Sequence, residues 1–151
     1  MTPADPIARA RAAVQALYDS DPASQALGIA VLEAAPGRVR VDMTVRPDMA
    51  NGHGICHGGV VFALADSAFA FACNSQGEAM VAAAASIEYL APARIGERLV
   101  ATASETSRVG RQGVYDVVVQ TAPGSIVALF RGRCARLPER SRHHTPEGNP
   151  R

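Results

Sequence analysis

Polar and apolar positions along the chain divide it into helices first and strands later. Ile7, Ala10, Val14 and Leu17 recur at helical spacing, with Asp5 or Thr2 placed to cap and Pro3 or Pro6 suited to a first turn. Asp21-Pro22 opens a second short helical turn through Leu27, closed by Gly28, and is read as a lid or brace against a sheet. Gly28 to Ala34 reads as a strand, followed by the turn signal Pro36-Gly37. Val39, Val41, Met43 and Val45 alternate with Arg38, Arg40, Asp42 and Thr44, the period of a half-buried strand that Pro47 ends. After the glycine-rich loop from Asn51 to Gly59 comes the most apolar segment, Gly59 to Cys73, whose only polar residues are Asp66 and Ser67. Apolar on all sides, it predicts a buried helix of about four turns. Four more strands are predicted over Met80–Leu90, Glu97–Ser107, Gly113–Thr121 and Ser125–Leu137, separated by Pro and Gly, as in an antiparallel meander. One buried helix among six strands predicts an α+β fold with the sheet wrapped around that helix. Residues 1–138 read as one domain with an N-terminal helical extension, and 139–151 as a polar, disordered tail.

Composition narrows the function. The 151 residues are 48% hydrophobic and 19% charged, enough for one core and too apolar for a disordered chain. A net charge of +1 gives no electrostatic case for nucleic acid or anionic membrane. Aromatics at 5%, with no Trp, argue against a stacking platform for single strands. Cys56, Cys73 and Cys134 are odd in number and far apart, which reads as reduced thiols in the cytoplasm. The first 18 residues read as neither a secretory signal nor an anchor, and the apolar run after Val60 is too short to span a bilayer.

The loop Asn51-Gly-His-Gly-Ile-Cys-His57-Gly58-Gly59 carries the candidate chemistry. A dinucleotide fingerprint fails, because His57 stands at the third glycine position and no βαβ unit follows. His53, Cys56 and His57 cluster, but adjacent Cys56 and His57 point apart and no fourth ligand is near, so no metal is expected. A helix N-terminus has unpaired amides with partial positive charge. Gly58 and Gly59 leave room for a carbonyl oxygen to dock there, although a tight turn alone would also use them. Asp66 is a carboxylate on an apolar helix, costly unless paired. It is either a satisfied core group, bonded to Ser67 or Asn74, or a nucleophile or general base facing a pocket. Gly58 and Asp66 lie eight residues apart, about 12 Å along a helix. One carbonyl cannot touch both in one chain, so joint action requires Gly58 of one subunit and Asp66 of another across a two-fold axis.

The run from Asn51 through Asp66 to Ser75, with Ser86-Ile-Glu-Tyr-Leu-Ala-Pro92, Gly113-Val-Tyr-Asp116 and Val127-Ala-Leu-Phe-Arg-Gly132, resembles the PaaI-type thioesterases of the hotdog-fold superfamily, the thioesterases of phenylacetate degradation. The match covers about 27–136. It implies a hotdog fold, dimers paired into tetramers, and hydrolysis of acyl-coenzyme A thioesters, aryl-acetyl groups being the usual substrates, with no cofactor. By the resemblance, Asp66 is the catalytic carboxylate and the Gly58 N–H polarises the thioester carbonyl. Asn51 and His57 match positions that hold the carbonyl, the water or the carboxylate. Gly59, Arg108, Arg111, Arg131 and Arg133 are candidates for substrate binding, the arginines for the phosphates of coenzyme A. Phe62, Leu64 and Phe69 are candidates for an acyl pocket. A hydratase using His57 with Asp66, or a non-catalytic acyl-CoA-binding protein, would fit the same frame.

Overall fold

A computed structural model describes residues 5–138. The expectations for Thr2, Pro3 and the tail 139–151 lie outside the described residues. Asp5 caps the first helix, α1 (Pro6–Asp19), by accepting from the Ile7 N–H, and Pro6 occupies its first turn. Asp21 caps α2 (Pro22–Ala26) in the same way through the Ser24 N–H. Strands β1 (Ala30–Ala35) and β2 (Arg38–Thr44) follow as a hairpin around Gly37, whose positive φ of 72° suits glycine. A short 3₁₀ turn (Pro47–Met49) leads to the loop and then to α3 (Gly58–Asn74). The remaining strands are β3 (Met80–Tyr89), β4 (Arg98–Val109), β5 (Gln112–Thr121) and β6 (Ile126–Arg136).

All strands pair antiparallel in one sheet, ordered β1-β2-β4-β5-β6-β3. Only β4-β5-β6 is the expected meander. β3 lies at the far edge against β6, and β2 pairs with β4 instead. The reason is α3: it packs against β2 through β6 and carries the chain from the β1–β2 end of the sheet to the opposite edge. At 1.5 Å per residue its 17 residues span about 25 Å, enough to pass four strand spacings of about 4.8 Å.

The face of α3 toward the sheet is fully buried through Leu64, Ala65, Ala68, Phe69, Phe71 and Ala72. Burial on all sides, however, is not what one chain provides. Val60, Phe62, Ala63, Asp66, Ser67 and Ala70 are only partly covered, because α1 and α2 shield part of the outer face and leave the rest open. The brace also differs from expectation. α2 packs on α3, through a contact of 2.9 Å between the Ser24 and Ser67 hydroxyl oxygens, and α1 is the helix that packs on β1.

Phe69 fixes how closely α3 sits on β6. A Cβ at Gly132 would come within 2.7 Å of its ring. Phe69 also meets Tyr115 edge-on and Phe130 at a tilt, so it has no free space to retreat into. Gly132→Ala is therefore expected to lower stability by about 1–3 kcal/mol through overpacking, measured as a reduced denaturation midpoint at unchanged slope.

Candidate active site

The loop before α3 is built to present the helix N-terminus. Asn51 Oδ1 accepts from the His53 N–H (2.9 Å) and the Ile55 N–H (3.3 Å), folding the loop over itself. Gly54 takes a positive φ of 73°, which a side chain would oppose. The Cys56 N–H then donates to the Ala93 carbonyl and the His57 N–H to the Met49 carbonyl, both at 2.8 Å, tying the loop to two other segments.

His57 caps α3: its Nδ1 accepts from the Gly59 N–H at 2.9 Å. Its carbonyl accepts from the Val60 and Val61 N–H groups. The two glycine amides thus have different fates. The Gly59 N–H is taken by His57 and is not free for a ligand. Among the described residues no acceptor takes the Gly58 N–H. The Gly58 carbonyl accepts from Tyr89 Oη at 2.8 Å.

A pocket of about 480 Å³ opens beside Gly58. Ile55, Val61, Leu90, Pro92 and Val127 give it apolar walls, and Asn51 and Gly58 supply the polar end. Asn51 is engaged through its oxygen only, so its Nδ2 amide remains a free donor among the described residues. Such a mixture, mostly apolar with a few convergent donors, is what a small-molecule site requires.

Asp66 does not line this pocket. It is half-buried two turns further along α3, and no protein donor reaches its carboxylate among the described residues. Neither proposed core partner serves it. Ser67 faces Ser24, and the Asn74 side chain is spent on the Ala70 carbonyl and both backbone groups of Met80. Burial raises the Asp66 carboxyl above its usual value, and the charge of Asp21 adds to the rise. Asp21 is itself anchored by Ser24, whose hydroxyl donates to Asp21 Oδ2 at 2.6 Å and is only 3% exposed. α2 thereby holds a second carboxylate near Asp66, a feature hidden in sequence because 45 residues separate the two acids.

The other expected residues fall elsewhere. Leu64 and Phe69 are wholly buried in the core and line no part of the pocket; Phe62 packs edge-on against Phe130. Arg131 makes a two-pronged pair with Asp116 (2.7 and 2.9 Å), opposite it in the β5–β6 register. Arg108 pairs with Glu78, and Arg133 reaches Gln112 at 3.4 Å. Arg111 is exposed, with no side-chain partner among the described residues. None of the four lines the pocket beside Gly58. Two residues that sequence reasoning missed stand closer to it. Tyr89 lines the pocket, and Arg94 follows the lining residue Ala93 with its side chain exposed. Cys56, Cys73 and Cys134 are buried free thiols, and burial pushes all three upward, away from the reactive thiolate.

Residues 53–128 match the family model described as the thioesterase superfamily. The chain is 46% identical over 122 residues to acyl-coenzyme A thioesterase PaaI of Escherichia coli, covering 81% of this chain and 87% of that one. It is 34% identical over 107 residues to human acyl-coenzyme A thioesterase 13, covering 68% and 76%. The solved structure of the E. coli PaaI protein from the phenylacetic acid degradation operon superposes with a TM-score of 0.87 at 42% identity, covering 89% of this chain and 97% of that one. With its six-stranded antiparallel sheet wrapped on one long helix, the chain belongs to the thioesterase superfamily, as a hotdog-fold protein of the PaaI type.

Proposed function

We propose that this protein hydrolyses acyl-coenzyme A thioesters, aryl-acetyl thioesters foremost, at sites shared between two copies of the chain. The observation that carries the reading is the pairing on one helix of a free N-terminal amide at Gly58, open to a pocket, with an unpartnered carboxylate at Asp66. The names of the E. coli and human relatives support the substrate class.

In this mechanism the thioester carbonyl docks on the Gly58 N–H, with the Asn51 amide as second donor, so that negative charge developing on oxygen meets the positive end of α3. The partner's Asp66 either attacks the carbonyl carbon, giving a mixed anhydride that water then hydrolyses, or takes a proton from an attacking water. The carbon–sulfur bond breaks, coenzyme A leaves as a thiolate, and the free acid remains. His57 keeps the helix start in place. Its Nδ1 is occupied by the Gly59 N–H, which disfavours a hydratase that would need His57 beside Asp66. Arg94 and Arg111, unpaired among the described residues, can meet coenzyme A phosphates without leaving a protein partner; Arg108, Arg131 and Arg133 would first have to leave internal partners.

The free edge of the sheet supports the shared site. Among the described residues β3 pairs with β6 on one side only, and its other edge is free over ten residues. Val81 through Ser86 are exposed, and Glu88 is the strand's only charged residue. A long, nearly uncharged free edge is a template for another strand. A second copy pairing there about a two-fold axis would extend the sheet and cover the open face of α3. Two such dimers would form the tetramer.

Free-thiol release from phenylacetyl, hydroxyphenylacetyl, benzoyl and straight-chain coenzyme A esters tests the reading. The expected result is turnover, with the highest kcat/KM for the aryl-acetyl esters. Tight binding without release from any ester would instead make this a thioester-binding protein.

The acid limb of kcat/KM is expected above the ordinary carboxylate range, because Asp66 acts ionised and burial and Asp21 oppose its ionisation. Asp21→Asn keeps a competent helix cap and removes one negative charge. Asp66 then ionises at lower pH, and the limb moves down. A limb that stays in place would mean that Asp66 is not the titrating group, or that Asp21 does not act on it.

A further inference from the structure

The Gly58 amide raises a problem that its neighbours must solve. It sits in the first turn of a helix, where the chain frays, and it precedes a second glycine with unusual backbone freedom. A donor that wanders cannot stabilise developing charge, and a displacement of about 1 Å can cost on the order of 100-fold in rate.

The peptide unit joining Gly58 to Gly59 is held from both ends by side chains. His57 Nδ1 receives its N–H, and Tyr89 Oη donates to its carbonyl oxygen. The His57 contact is local. Tyr89 comes from the end of β3, 31 residues away, and so fastens the helix start to the sheet. Its ring also lies against Gly58, since a Cβ there would stand 3.2 Å from Tyr89 Cζ and 3.3 Å from Oη. Tyr89 is 52% exposed and contributes little to the core. Within one chain its contacts are the wall of the pocket and the bond to Gly58, and only the bond uses its hydroxyl.

We infer that Tyr89 is a positioning residue: by donating its hydroxyl to the Gly58 carbonyl it fixes the helix's first turn, and with it the Gly58 N–H, against the thioester carbonyl. The inference rests on the thioesterase reading above. It assigns to Tyr89 no proton transfer and no contact with the reacting atoms.

Tyr89→Phe removes the hydroxyl and keeps the ring. Its kcat is expected to fall about tenfold and its KM to rise severalfold at most, because a misplaced amide serves the ground-state carbonyl less well and the developing charge least of all. Two unreactive ligands separate positioning from a general structural role. In one, a methylene replaces the thioester sulfur and the carbonyl remains; in the other, a thioether, the carbonyl is absent. Tyr89→Phe is expected to weaken the ketone severalfold and leave the thioether unchanged. Equal weakening of both, an unchanged kcat, or a variant that no longer folds would overturn the inference. Wild-type turnover is measured first, and its absence would count against the thioesterase reading itself. Preference of the wild-type protein for the ketone over the thioether still reports whether a carbonyl site exists.

Discussion

Asp66→Asn is expected to lower kcat by about 10²- to 10⁴-fold, the range typical of removing a general base, while the protein stays folded. The carboxamide has nearly the same shape and carries no charge. Burial opposes ionisation of Asp66, and Asp21 adds repulsion, so the neutral replacement removes an unfavourable burden from the native state. The melting temperature should hold or rise as activity falls. That opposite movement separates a functional carboxylate from a structural one. A core group satisfied by hydrogen bonds would lose stability when replaced, and no such bonds hold Asp66 among the described residues. Thiol release and thermal melting on the same sample decide between them, and activity within tenfold of wild type would remove Asp66 from the mechanism.

Gly58→Pro is the second large effect, expected to cost about 10²- to 10³-fold in kcat, as for loss of one oxyanion donor. Proline deletes the N–H and is otherwise suited to the first position of a helix. His57, at φ −58° and ψ 133°, already has the backbone conformation preferred before proline. The added ring atoms press on Tyr89, as any Cβ would, so whatever hold Tyr89 loses is shared with an alanine at the same position. Gly58→Ala is the control: it adds the same Cβ and keeps the N–H. The ratio of the two rates isolates the amide. Equal losses in the two variants would mean that space beside Gly58, rather than its N–H, is what the reaction needs.

Much of this candidate site is legible in the sequence. Asp66 stood out as the one charge on an apolar helix, and the glycines before it marked a helix start with room for a ligand. The helical rise alone required that Gly58 and Asp66 act on separate carbonyls or from separate chains. What stayed hidden depends on pairing between distant segments. Strand periodicity does not state strand order, so β3 was placed in a meander rather than at the far edge. Its run of Ala, with a register shift between Ala82 and Ala84, also lacks the alternation that would have marked a buried face. The pairing of Arg131 with Asp116 is set by the β5–β6 register, which the sequence does not state. Leu64 and Phe69 were sequence neighbours of the site, but the helical turn directs them to the core. Tyr89 gave no signal because its partner is a backbone carbonyl on another element.

In the proposed mechanism each site takes Gly58 from one chain and Asp66 from the other, which mixed subunits put to the test. Gly58→Pro and Asp66→Asn chains, each nearly inactive alone, are co-expressed in equal amounts with the same affinity tag and purified as one unselected mixture. In a hybrid dimer one site carries both defects and the other carries neither. With random pairing, half the dimers are hybrids, so about a quarter of all sites should be intact, and the mixture should recover about a quarter of the wild-type rate. A mixture no more active than the sum of its two parents would contradict the shared site.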